Sequence, residues 1–458
     1  MLPLLRCNRR FFIISAIAGA ALRLLFILRF PAITTDSFIY GDIAKNWLTS
    51  GIYGFTDSPG VILPTFIRLP GYPAFLAAIF AIFGMEHYRA VLITQMFVDL
   101  ATCLIISDIA LRLAGNRVAK FAFFLAALCP FLAMYSAAAL SETLEVFFTA
   151  LALDCALAAL SSRRTYLWLL AGIPTAAAIL VRPDGGLLPC ALELYLLILM
   201  LRTALKKTPK EATPLLRPAL IYGFVSLAPL VPWTLRNLHT MHRFQPLAPR
   251  YANEQNEVVP AGFNRWVKTW IANYASVEEI YWPVPGDTVD AAKLPGRAFD
   301  SPEQRRETEQ LFIEYNDKLY ISPELDARFA ELAAQRIRSH PLRYYFFLPM
   351  LRIADMWLRP RTETLPSDSR WWEFNDDPKW SALAVAMGVI GLFYVGAAAL
   401  ALPRALHLPL IWLPLGFVLL RSLFLGTLEN PEPRYTLECF PVAILLSAIV
   451  LNKTVKAV

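Results

Sequence analysis

Long apolar runs, bounded by clusters of arginine, lysine or acidic residues, set the pattern of this chain. A bilayer span needs about 20 predominantly apolar residues, or about 17 at the short end. On that measure the expected spans are residues 11–30, 90–111, 118–136, 142–160, 166–181, 187–202, 216–234, 381–402, 408–427 and 437–451. Two other runs fall outside it. Gly71 to Gly84 offers only ~14 residues, a length suited to a re-entrant or interfacial helix. Leu342 to Leu358 carries Arg343, Arg352 and Asp355, each of which would cost ~2.5 to 3.5 kcal/mol in lipid. That stretch is expected to lie as a helix on the outer surface.

Ten spans return both termini to one side. With the N-terminus cytoplasmic, the inner loops hold Arg112, Arg117 and Lys120, then Arg163 and Arg164, then Arg202, Lys206, Lys207, Lys210 and Arg217, then Arg404, and finally Lys453 and Lys456. Every short basic loop thus falls inside, as the positive-inside rule requires; one miscounted span would have moved the later clusters across. The run 11–30 follows Arg6, Arg9 and Arg10 and has no small-x-small site after it, so it reads as a retained anchor and not a signal peptide.

The outer side receives two large segments. The chain divides into an N-terminal transmembrane module, 1–237, which includes a first outer loop at 31–89; an outer helical region, 238–378; and C-terminal transmembrane helices, 379–458. Helices in the outer region are marked by Ser301-Pro302-Glu303 and Ser322-Pro323-Glu324, where an N-cap hydroxyl precedes a proline at the first helical position. Pro341 closes the second of them. The fold class expected is an all-α polytopic membrane protein.

Composition narrows the function. Hydrophobic residues make up 57% and charged residues 17% of 458, with a mean hydropathy of +0.47, which excludes a string of soluble domains. The formal charge of +7 is explained by the basic inner loops, so nucleic acid is not an expected partner. Six scattered cysteines without a C-x-x-C pair give no disulfide framework or redox motif. There is no Walker A sequence, G-x-G-x-x-G, H-E-x-x-H or Asp-x-Asp, and the pair His239 and His242 is read as interfacial. No metal ligands are assigned and no cofactor is named, a requirement for a divalent cation being left open.

Ionisable residues at the mouths of spans are functional candidates by default. In this threading Asp36, Asp42, Asp57, Arg68, Glu142, Arg182, Asp184, Arg236, Glu432 and Arg434 all face the same outer compartment. Carboxylates mixed with several cations are what a bound phosphate diester and a general base require.

These positions carry a resemblance. Asp36-Ser37-Phe38-Ile39-Tyr40-Gly41-Asp42-Ile43-Ala44 with Gly51 and Tyr53, followed by Arg68-Leu69-Pro70-Gly71-Tyr72-Pro73, resembles the first outer loop of the protein O-mannosyltransferase and aminoarabinose-transferase superfamily. The same order continues through Ser141-Glu142, Val181-Arg182-Pro183, Pro232-Trp233 with Arg236-Asn237, and Glu432-x-Arg434-Tyr435. The resemblance implies a GT-C bundle with helical extracytoplasmic loops. It also implies transfer of a hexosyl or pentosyl group from a polyprenyl-phosphate carrier to a protein, lipid or glycan acceptor on the extracytoplasmic side of the plasma membrane.

On that pattern Asp36 is the general base that deprotonates the acceptor; the alternative is a solvated loop aspartate or helix N-cap. Arg68 contacts the carrier phosphate through its planar fork, or else snorkels to lipid headgroups. Arg182, Arg236 and Arg434 would neutralise the departing phosphate, or anchor helix ends. Tyr40, Asp42, Glu142, Glu432 and Tyr435 are placed around the acceptor, with packing or the helix dipole as their plain alternatives. One departure stands out: Ser37 occupies the position where many relatives have a second carboxylate.

Two other classes of function compete. A flippase of lipid-linked glycans would also have many spans and an arginine-rich cavity, but transporters carry internal repeats and mid-span charges, whereas here the ionisable groups gather at one face. A membrane scaffold would tolerate loss of Asp36.

Overall fold

A computed structural model of the chain describes residues 1–57, 60–162, 164–205, 209–254, 257–374 and 377–452, without the side chains of 209–214. Arg163, Lys206, Lys207, Lys453 and Lys456 lie outside the described residues. Apart from one short hairpin, the described elements are helices. Among these residues seven helices are long and apolar enough to cross a membrane: Arg9–Arg29, Tyr88–Ala114, Glu142–Ser162, Pro183–Leu205, Leu215–Met241, Pro378–Ala405 and Pro433–Val450. An eighth is the bent pair Asn116–Ala127 and Pro130–Ser136. The remaining two expected segments form shorter apolar helices, Tyr166–Val181 with 16 residues and Trp412–Gly426 with 15, as does Gly71–Phe83 with 13. The protein is an all-α, multi-pass membrane protein.

The chain forms two compact units. The first comprises Met1–Gln255, Tyr394–Leu420 and Leu437–Val458; the second comprises Asn256–Phe393 and Arg421–Thr436.

In the first unit, α1 (Leu2–Cys7) leads into the span α2 (Arg9–Arg29). The loop after it holds α3 (Thr35–Ser50), the antiparallel strands β1 (Gly54–Thr56) and β2 (Ile62–Pro64), and α4 (Gly71–Phe83). Beyond it come α5 (Tyr88–Ala114), α6 (Asn116–Ala127), α7 (Pro130–Ser136), α8 (Glu142–Ser162), α9 (Tyr166–Val181), α10 (Leu187–Leu205), α11 (Pro209–Leu227) and α12 (Leu230–Met241). The helix Phe440–Val450 packs on α5 and α6 with every residue from Phe440 to Ile449 buried, which explains why it is apolar on all faces.

The expected span 118–136 is broken by a 50° bend. Pro130 has no N–H and its ring collides with the preceding turn, so α6 ends with buried carbonyls that lack their regular helical donors. Arg23, fully buried in α2, takes them: its Nη1 donates to Ala127 O at 2.7 Å and Gly19 O at 2.9 Å, and its Nη2 donates to Ala126 O at 3.4 Å. Its Nε pairs with Asp99 Oδ2 of α5 at 2.7 Å. A Cβ on Gly19 would sit 2.8 Å from Ala127 O, so glycine is what lets α2 approach the break.

The bend delivers the segment after α7 to the first loop. Ala32 N–H donates to Ala137 O and Ala139 N–H donates to Ala32 O, both at 2.9 Å. Gln95 Nε2 fixes the same segment through Ala138 O at 2.6 Å, while its Oε1 accepts from the Tyr72 hydroxyl at 2.8 Å.

The second unit has its own core of Phe263, Trp266, Trp270, Phe312, Tyr315 and Phe329. Both expected N-caps form: Ser301 accepts from the Gln304 N–H, and Ser322 from the Leu325 N–H. The stretch 342–358 contains the helix Leu348–Leu358, and its charges face protein. Arg352 donates to Ile271 O at 2.8 Å and Asp355 accepts from the Tyr274 N–H at 2.9 Å, while Tyr345, Phe346, Phe347 and Leu351 are exposed.

Candidate active site

Asp36 stands in the first turn of α3, immediately beyond the span α2. Thr34 caps this helix, and the buried Ser37 Oγ accepts from the Thr34 N–H at 3.0 Å. Ser37 therefore closes the helix start. Asp36 Oδ1 accepts from Arg68 Nη2 at 2.9 Å, with the two side chains 35% and 19% exposed. Arg68 lies over the ring of Tyr40 at 5.5 Å, and Tyr40 packs edge-on against Tyr72 with centroids 4.9 Å apart. Arg68 Nε is buried and has no hydrogen-bond partner in this arrangement.

A second ionic cluster forms at the start of α8. Arg182, at the C-terminal end of α9, reaches Glu142 at 3.1 Å, Glu145 at 3.0 Å and Asp184 at 3.2 Å. Close packing makes this position: a Cβ on Gly71 would sit 2.6 Å from Leu180 O, so glycine lets the segment after Arg68 lie against the end of α9. Tyr40 stands between the clusters. Burial pushes its hydroxyl above the usual tyrosine range, Arg68 and Arg182 pull it back, and Asp36 and Glu142 push it up.

The other sequence candidates divide. Asp42 serves the loop: it accepts from the Thr56 N–H at 2.7 Å, the Thr56 hydroxyl at 3.1 Å and Lys45 at 3.1 Å. Burial alone would raise its carboxyl, but Thr56 and Lys45 outweigh burial and hold it below the usual range. Arg236 also serves the loop. It donates to Thr65 O and Tyr53 O, each at 2.6 Å, and lies over the rings of Tyr53 and Trp233 at 5.3 and 5.4 Å.

Glu432, Arg434 and Tyr435 belong to the second unit. Arg434 Nε pairs with Glu432 Oε2 at 2.6 Å, and the Tyr435 hydroxyl donates to Glu432 Oε1. Asn430 Nδ2 donates to the same oxygen at 3.2 Å. Nearby, Glu363 has both carboxylate oxygens buried without a hydrogen-bond partner. Burial pushes its carboxyl up to about 7 despite Arg361 and Arg434.

Sequence reasoning missed Glu145, Glu363 and the pair Arg23–Asp99. Glu145 was findable, because it lies three residues after Glu142 and shares its helix face. Among the described residues no group of three His, Cys, Asp or Glu side chains is arranged to hold a metal ion.

A family model described as dolichyl-phosphate-mannose-protein mannosyltransferase matches residues 64–233. That range includes Arg68, Glu142 and Arg182 and leaves Asp36 outside it. Solved structures match over nearly the whole chain. An oligosaccharyltransferase, AglB of Archaeoglobus fulgidus, in complex with an inhibitory peptide and a dolichol-phosphate, is 13% identical with a TM-score of 0.50, covering 98% of this chain and 50% of that one. The same organism's oligosaccharyltransferase in the apo form is 13% identical with a TM-score of 0.51, covering 96% and 50%.

The chain has the GT-C fold. It spans about half the length of the archaeal protein with which it shares that fold. ArnT of Cupriavidus metallidurans bound to undecaprenyl phosphate matches at 15% identity, covering 97% of this chain and 78% of that one, with a TM-score of 0.40. No curated protein matches the chain. Within the GT-C fold described here, the Asp36–Arg68 pair lies just beyond the C-terminal end of α2, with Tyr40 against Arg68 and within electrostatic reach of Glu142 and Arg182.

Proposed function

We propose that this protein is a glycosyltransferase that moves a sugar from a polyprenyl-phosphate carrier to a protein, lipid or glycan acceptor. The transfer takes place on the extracytoplasmic side of the plasma membrane. The observation that carries this reading is Arg68, a cation beside the carboxylate of Asp36 with a buried, unpartnered Nε. A buried donor without an acceptor costs roughly 1 to 3 kcal/mol, and a phosphate oxygen of the carrier would satisfy it while balancing the charge.

In the reaction Asp36 takes the proton of the acceptor hydroxyl, whose oxygen bonds to the anomeric carbon as the bond from that carbon to the phosphate oxygen breaks. The electron pair leaves with the polyprenyl phosphate, and Arg68 meets the charge that develops there. Arg182 is committed to three carboxylates, so its part is to hold Glu142 and Glu145 in place beside Tyr40. Glu142, 2% exposed, orients the acceptor, and Tyr40 supports Arg68 from below. The basic loops assigned to the cytosolic side support the extracytoplasmic placement.

The mid-span charges that would favour a transporter are sealed: Arg23 and Asp99 are 0% and 3% exposed and close the break between α6 and α7. Mass spectrometry of surface glycans and glycoproteins from a strain lacking this chain tests the proposal. Loss of one modification, restored by the wild-type chain and not by Asp36→Asn, is expected. An unchanged set of modifications would overturn it.

A further inference from the structure

At the other end of α2 from Asp36, a helix about 31 Å long for its 21 residues at ~1.5 Å each, a cleft opens between α1 and the start of α6. Leu4, Cys7, Asn8, Asn116, Arg117 and Lys120 line it. Asn8 separates α1 from α2 and holds two bonds there: its Nδ2 donates to Leu4 O at 3.1 Å, and its Oδ1 accepts from Lys120 Nζ at 3.2 Å.

The cations here differ from their neighbour Arg112, which is held by Asp108 and Asp154 at 2.7 Å each. Among the described residues neither Arg117 nor Lys120 has a carboxylate within ion-pair distance, and Arg6, Arg9 and Arg10 beside the cleft have none either. Two cations, Arg117 and Lys120, thus line the cleft without a carboxylate partner among the described residues, while Asp108 is taken up by Arg112 and the Met1 amino group. The cleft stands where α2 and α6 enter their apolar stretches, at Phe11 and Val118. Leu2 of α1 is 69% exposed. Phosphate groups are concentrated at that depth of a membrane, and clustered basic residues there attract anionic lipid.

We propose that this cleft binds the headgroup of an anionic phospholipid. Arg117 and Lys120 engage the phosphate, Asn116 offers its amide, and Leu4 carries the apolar edge. The site is independent of the transfer activity proposed above and lies at the opposite end of the bundle.

Cys7 provides the readout, because it is exposed in the cleft. Cys190, also exposed, is replaced by Ser in the full chain, and the rate at which an uncharged maleimide alkylates Cys7 is followed in detergent. Soluble short-chain phosphatidylglycerol is expected to slow alkylation several-fold, while short-chain phosphatidylcholine and inorganic phosphate at the same concentration leave it unchanged. In the double variant Arg117→Gln, Lys120→Gln the half-protecting concentration should rise about thirtyfold, roughly fivefold for each cation near an anionic headgroup. Equal protection by phosphatidylcholine, protection by phosphate alone, or an unchanged titration in the double variant would overturn the proposal. Native mass spectrometry of the same samples is expected to show phosphatidylglycerol retained on the parent chain and lost from the variant; equal retention would count against it.

Discussion

Arg68 Nη2 lies 2.9 Å from Asp36 Oδ1, so two residues 32 positions apart form an ion pair just beyond a membrane span. The relationship depends on structure built around it. The Ala32–Ala138 bridge fixes the start of the loop, and Arg236 holds its return through Tyr53 O and Thr65 O. Each partner keeps the other in a defined position.

Removing the cation should separate binding from chemistry. Arg68→Ala is expected to weaken polyprenyl-phosphate binding by roughly tenfold or more, since a charged hydrogen bond contributes about 1.5 to 3 kcal/mol. Turnover of bound donor should fall less. Arg68→Lys keeps the charge without the planar fork and should recover only part of the affinity. Titration calorimetry with polyprenyl phosphate, read beside single-turnover rates, checks this; affinity equal to wild type in Arg68→Ala would remove the phosphate role.

Arg23→Leu should destabilise the first unit severely. It leaves Asp99 buried and uncompensated, and takes the Arg23 donor from Ala127 O, whereas Ala126 O keeps the Cys129 N–H. Breaking one side of a buried pair costs on the order of 3–5 kcal/mol. The double variant Arg23→Leu, Asp99→Leu should recover part of that loss. Thermal unfolding in detergent tests both; a single variant as stable as wild type would contradict the role assigned to the pair.

Glu363 predicts a pH dependence. Its folded pKa of about 7 lies above an unfolded glutamate value of about 4.3, so the folded state binds the proton more tightly. The penalty is absent below about pH 4.3, grows as pH rises from there to about 7, and is complete above that. Glu363→Gln should therefore match wild type near pH 4 and be the more stable protein above pH 7. Unfolding curves across that range decide it, and a variant less stable at pH 8 would contradict the burial argument.

The apolar runs made the architecture legible, because length and hydropathy are all a bilayer demands of a helix. They could not show which runs bend. Pro130 inside the run 118–136 was a readable warning of the break, but the Arg23 guanidinium that completes it comes from another helix, 104 positions away in sequence from Ala127. The same limit applied at the site. Loop alternation placed Asp36, Arg68, Glu142 and Arg182 in one compartment, and the structure pairs Asp36 with Arg68 and Glu142 with Arg182. What Arg236 and Asp42 contact is decided by backbone groups of the hairpin segment, Thr65 O and the Thr56 N–H among them, and no side-chain pattern announces those. Glu432, Arg434 and Tyr435 meet one another, since three residues in a row of four need only a local turn to do so.

The most direct test of the central claim is transfer by Asp36→Asn in the purified full chain, supplied with a polyprenyl-phosphate sugar and an acceptor preparation from its own envelope. The account predicts that the variant folds with an unchanged unfolding temperature, still binds polyprenyl phosphate, and loses about 10²- to 10⁴-fold in rate, the usual range for a general base. Transfer at the wild-type rate by a folded Asp36→Asn protein would contradict it.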